Sequence, residues 1–145
     1  MHSIAARVLE DWRQRRVSLV APNPAAVIER RLIDAGLMVG SDFVTFLAVV
    51  GGMVDDEMDP DLWSMWNLDK IITENRRIQK EGTYFADWLI HSHLHVARLE
   101  SSDVTSIWSD GFDGIGITRV ASTLKEFLER YLSRDQLIGI YFEGE

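Results

Sequence analysis

Apolar positions in this chain of 145 residues follow two rhythms, helical in the first fifty residues and mixed afterwards. Ile4, Val8 and Trp12 fall at four-residue intervals with Leu9 beside them, which predicts an amphipathic helix over residues 3–16. A short apolar link, residues 17–20, leads to Pro22 and Pro24, and Pro24 suits the first turn of a second helix. That helix runs to Ala35, presents Val27, Ile28, Leu32 and Ala35, and stops at Gly36. A third helix begins at Ser41 or Asp42, either a good N-cap. Its stripe of Phe43, Phe46, Leu47 and Val50 has the i, i+3, i+4, i+7 spacing, and Gly51-Gly52 ends it.

The second part alternates shorter elements. Residues 53–61, MVDDEMDPD, read as a surface loop, and the aromatic run 62–66, LWSMW, as a strand. A polar helix follows, from Asn67 or Leu68 to Gln79, closed by Gly82. Residues 84–100, YFADWLIHSHLHVARLE, alternate so strictly that they predict one long strand. One face would carry Trp88, Ile90, Ser92, Leu94 and Val96, and the other Leu89, His91, His93, His95 and Ala97. A turn at residues 101–103 leads into a strand over 104–108, a hairpin signal SDGFDG at 109–114, and a return strand over 115–121. Thr123, with Glu126 three residues on, marks the capping box of a last helix whose stripe is Leu124, Phe127, Leu128, Tyr131 and Leu132. Residues 137–142, LIGIYF, fit an edge strand or a packed tail. Consecutive strands joined by short turns require an antiparallel sheet. The expected fold is α+β, a mainly antiparallel central sheet covered by N-terminal and C-terminal helices, in a single domain spanning residues 1–145.

Composition narrows the function classes. Hydrophobic residues make up 46 % and charged residues 26 %, the balance of a globular domain. No cysteine is present, which excludes disulfides, thiolate-bound zinc and thiol catalysis. The N-terminus lacks an apolar signal core and no apolar run reaches the length of a membrane span, so a cytoplasmic protein with no membrane partner is expected. Net charge is −8, unevenly placed. Residues 1–31 hold six arginines against three acids, net +3, and the rest hold nine basic and twenty acidic groups, net −11. An acidic body disfavours nucleic acid and suits a basic protein partner.

Three sets of residues are candidates for chemistry. His91, His93 and His95 share one strand face, but their Cβ atoms stand in a row, about 6–7 Å per step, and splay poorly around one tetrahedral ion. A metal-dependent enzyme using these histidines is the alternative they leave open, and hydrogen bonding within the fold is the simpler reading. Asp87, Ser92 and Asp110 supply no triad, because Ser92 and its neighbouring histidines point to opposite faces. The acids Asp55, Asp56, Glu57, Asp59 and Asp61 lack the Gly and distal Glu of a calcium loop. With Trp63 and Trp66 adjoining, they form the candidate partner-binding site, acids for complementarity and aromatics as anchors. No catalytic residue, metal site or cofactor follows from these patterns.

The order of segments resembles the SUKH superfamily, which includes the yeast cell-wall-assembly regulator and many bacterial immunity proteins. The resemblance spans residues 24–132. It rests on VIERRLIDAGLMVGSDFVTFLAVVGGM, on the tryptophan-rich run from Leu62 to Ile71, on FADWLI-x-SH at 85–93, and on VASTLKEFLERYL at 120–132. Gly40, Gly51, His91 and His95 depart from the residues common at those positions. The resemblance implies helices covering one side of a central sheet and no catalytic site. It also implies a bacterial immunity protein that neutralises a cognate toxin, for which the acidic body suits a basic toxin domain, or else a regulatory or scaffolding module with an endogenous partner.

Overall fold

The computed structural model describes residues 1–78, 81–90, 92–111 and 116–135. Its elements, in chain order, are α1 (His2–Gln14), α2 (Ala25–Asp34), α3 (Ser41–Val50), β1 (Trp63–Met65), α4 (Leu68–Ile78), β2 (Thr83–Trp88), β3 (His93–Ser101), β4 (Val104–Gly111), β5 (Gly116–Ala121) and α5 (Leu124–Leu132). The five strands form one antiparallel sheet in the order β1-β2-β3-β4-β5. The fold is therefore α+β around a central antiparallel sheet. The expected strand over 137–142 lies outside the described residues.

α1, α3 and α5 bury most of the stripe their spacing marks, whereas α2 buries Ile28 and Leu32 but leaves Val27, expected on the same stripe, 42 % exposed. Ile4, Val8 and Trp12 of α1, Phe43, Phe46, Leu47 and Val50 of α3, and Leu124, Phe127, Leu128 and Tyr131 of α5 are all buried. Thr123 caps α5 through its hydroxyl, which accepts from the Glu126 N–H, while the Glu126 carboxylate reaches back to the Ser122 N–H. Phe127 meets Trp63, Phe85 and His95 from one side of the sheet, and the Phe43 ring stands edge-on to Phe85. α1 packs on α3 and α5 and thus forms a second tier above that side.

The edges of the helical layer are set by close backbone approaches. Gly51 ends α3 at φ +72°, and a Cβ there would lie 2.0 Å from the Val20 carbonyl oxygen. The link at residues 18–20 is thereby drawn against residues 52–54, with Val20 donating to Gly52 and Val54 donating to Ser18. α4 runs beside β2 where β1 has ended. Its Asn75 side chain accepts from the Tyr84 N–H and donates to the Tyr84 carbonyl, so one amide satisfies a stretch of otherwise unpaired strand edge.

One expectation is corrected. Residues 84–100 are not one strand but the β2–β3 hairpin, in which Trp88 faces His93 and Asp87 faces Leu94. The chain reverses between the paired Trp88 and His93, where Leu89 and Ile90 take positive φ and the Ser92 N–H bonds back to the Leu89 carbonyl. Alternation continues through the turn in sequence but not in space. Likewise β4 extends to Gly111 and pairs it with Gly116, so the hairpin lies further along than residues 109–114 imply.

Candidate functional site

The acidic loop follows α3 and is built around one buried carboxylate. Asp59 is 3 % exposed. Its Oδ1 accepts from the Asp61 N–H at 2.8 Å and the Trp63 N–H at 3.0 Å, which folds residues 59–63 into a tight turn entering β1. Its Oδ2 accepts from the Tyr131 hydroxyl and faces Arg15 Nη1 at 3.4 Å. The Tyr131 oxygen in turn accepts from the Trp12 indole N–H at 2.8 Å. One carboxylate thus joins α1, the loop and α5.

The electrostatics follow from this arrangement. Burial pushes the Tyr131 phenol well above its ordinary range, and the Asp59 charge and hydrogen bond add to the rise, against the opposing Trp12 N–H and Arg15 charge. Tyr131 therefore keeps its proton and stays a donor to Asp59. Burial disfavours the Arg15 charge, but the Asp59 field and the bond to Asp61 outweigh it and hold Arg15 more firmly protonated. Arg15 Nη2 reaches Asp61 at 2.6 Å, and Arg134 approaches the same carboxylate at 3.4 Å.

The five acids consequently separate into two groups. Asp59 and Asp61 are engaged by Arg15, Tyr131 and Arg134. Asp55, Asp56 and Glu57 form no ion pair among the described residues, Asp55 and Asp56 being exposed and Glu57 half-buried. Asp55 accepts one hydrogen bond, from Asn67 Nδ2 at 2.9 Å, which fixes its side chain toward the start of α4.

The two tryptophans face inward. Trp63 is 4 % exposed and its ring lies 4.6 Å from His95, with Phe127 and Tyr131 edge-on to it. Trp66 is 1 % exposed and donates its indole N–H to Asp87 at 2.7 Å. Both are core residues beneath the loop, so the apolar surface next to the acids comes from elsewhere. Leu62, at φ +74°, is exposed, and its carbonyl accepts from the Leu89 N–H at 3.0 Å. Leu89 and the 73 % exposed Ile90 therefore stand beside the end of the acidic loop, while Trp88 clamps that junction by donating to the Asp61 carbonyl at 3.0 Å. Reading the sequence as one long strand hides these three residues. Signals for the network were present in part: Trp12 and Tyr131 are polar-tipped aromatics on buried stripes, which need hydrogen-bond partners inside.

His93 and His95 share a face of β3, as alternation requires, and that face lies under α5. His95 is buried against Trp63 and Phe127, and His93 lies 5.6 Å from the Trp88 ring. His91 lies outside the described residues. Among the described residues, no group of three or more histidines and acids is placed to hold a metal ion. No described helix is long and apolar enough to cross a membrane. No family model, no curated protein and no solved structure matches this chain.

Proposed function

We propose that this protein is a non-enzymatic binding module of the cytoplasm, an immunity-type protein that neutralises a basic toxin domain through its acidic loop. The observation that carries this reading is the set of carboxylates at Asp55, Asp56 and Glu57, which pair with no cation among the described residues although the loop that bears them is tied by hydrogen bonds at Asp55 and Asp59. A fixed loop with unneutralised charge steers a cationic partner and loses little entropy on docking. Asp61 adds a partly neutralised carboxylate, and Leu62, Leu89 and Ile90 supply adjoining apolar area for contact. Asp59, Trp63 and Trp66 serve this surface from beneath, by shaping the loop. The resemblance to the SUKH superfamily supports the same reading, since its bacterial members include many immunity proteins.

The test is co-purification with the toxin-like product of a neighbouring gene, followed by association kinetics. Exchanging Asp55, Asp56 and Glu57 for their amides should slow association by about tenfold at low salt and leave the salt dependence shallower. A partner that fails to bind even at low ionic strength would overturn the reading. Binding to an endogenous signalling protein instead would favour the regulatory alternative.

A further inference from the structure

At the opposite end of the β2–β3 hairpin from Ile90, two hollows of about 550 and 370 Å³ open on either side of Met38. They share Leu37, Met38 and Leu99 and so make one groove between the α2–α3 connection and the ends of β2 and β3. Leu32 and Val44 line the smaller hollow from the core side. Met38 and Ile33 are 68 % and 59 % exposed, although Leu32 and Leu37 next to them in sequence are buried. Large apolar side chains held in water beside an apolar hollow mark a contact surface. Met38 is also the side chain best able to adapt to an incoming shape.

Shape and charge together select the occupant. Both hollows are open to solvent, whereas a small-molecule site encloses most of its ligand. Glu29 lines the smaller hollow and pairs with no cation among the described residues. Arg98, the cation of the larger hollow, is occupied: it bonds Glu81 at 2.6 Å and lies 4.4 Å from the Trp108 ring centroid. The unneutralised charge inside the groove is therefore negative. A second copy of this chain would bring another net charge of −8 against it. We propose that the groove docks a basic amphipathic segment of another protein, with apolar side chains seated beside Met38 and a lysine or arginine on Glu29. This surface is separate from the acidic loop, since the six residues of β2 place it roughly 20 Å away.

The probe is a 14-residue peptide of leucine and lysine with its leucines on one helical face, compared with a version carrying glutamate for lysine. Binding is measured in the full chain carrying Asp55→Asn, Asp56→Asn and Glu57→Gln, which removes the three unpaired carboxylates of the acidic loop, so that the result stands whether or not the loop binds a toxin. The lysine peptide should shift the methyl resonances of Met38 and Leu99 saturably, and the glutamate peptide should bind at least tenfold more weakly. Ile33→Gln with Met38→Gln should weaken the lysine peptide about tenfold, and Glu29→Gln a few-fold. Both apolar positions are exposed, so an unchanged thermal transition will separate lost binding from lost folding. Shifts that scatter over the surface, or affinity untouched by the Ile33 and Met38 exchanges, overturn the proposal. So does sedimentation showing a dimer that the same double exchange dissociates, because the occupant is then a second copy.

Discussion

Tyr131 sits where three demands meet: its oxygen accepts from Trp12, its proton goes to Asp59, and its ring lies edge-on to Trp63. Tyr131→Phe keeps the ring and deletes the oxygen, leaving the Trp12 N–H unmatched and Asp59 with one donor fewer in a buried place. The expected loss is about 1–3 kcal/mol at neutral pH, measured by urea unfolding. The pH dependence provides a sharper check. Burial is the largest cause raising the phenols of both Tyr131 and Tyr84, with the hydrogen-bonded carboxylates of Asp59 and Asp110 adding to it. In the unfolded chain they ionise near the ordinary value of about 10. The stability they contribute is therefore complete below pH 10 and is lost as the pH rises above it toward the higher folded values. Tyr131→Phe removes one of these phenols, so the stability gap between the two proteins should narrow from pH 10 upward. A gap that stays constant between pH 7 and pH 11 would show that Tyr131 is not held protonated by the fold.

At the scale of elements, the β2–β3 turn is the part of the sheet most at odds with its own sequence. Hairpin turns that need positive φ favour Asn and Gly, yet Leu89 and Ile90 both lie at φ +51°. For a β-branched residue that conformation costs on the order of 1–2 kcal/mol. Ile90 is exposed, so its side chain returns little packing to offset the cost. Ile90→Gly should accordingly stabilise the protein by about 1 kcal/mol, seen as a raised urea midpoint with an unchanged slope. Destabilisation would mean that the turn is not strained as described. The same turn explains what the sequence conceals. α1, α3 and α5 are legible because a buried stripe repeats at a period set by the helix itself. The break at residues 89–92 is not, since no glycine, proline or asparagine marks it and the alternation of residue types runs straight through. The acidic loop divides in a similar way. Its position follows from composition, and the Asp59 Oδ1 holds a local turn, but the partners of its Oδ2, Arg15 and Tyr131, reach it from 44 and 72 residues away. Nothing local to MVDDEMDPD encodes those distant contacts.

For the whole molecule, the decisive link is between its two ends. α1 belongs to the same core as the sheet. Ile4, Ala5, Val8 and Trp12 are buried in that core, and Trp12 bonds Tyr131 across 119 residues of chain. The uneven charge of the sequence is also resolved here, because Arg15 from the basic N-terminal part neutralises Asp59 and Asp61, and Arg31 meets Asp69 at 2.7 Å. Removing residues 1–16 would uncover the faces of α3 and α5 on which α1 packs and would leave the buried Asp59 carboxylate without its cation. Each large apolar side chain lost from the core forfeits about 1.5–3 kcal/mol, so three or four of them approach the whole stability of an ordinary domain. A buried charge left unpaired adds several kcal/mol more. The shortened chain should therefore lack a cooperative thermal transition and near-ultraviolet dichroism. Adding a peptide of residues 1–16 should restore both, since the missing contacts are non-covalent. A shortened chain that melts cooperatively within a few degrees of the full protein would show instead that α1 is an appendage, and that the Asp59 carboxylate needs no partner from the N-terminus.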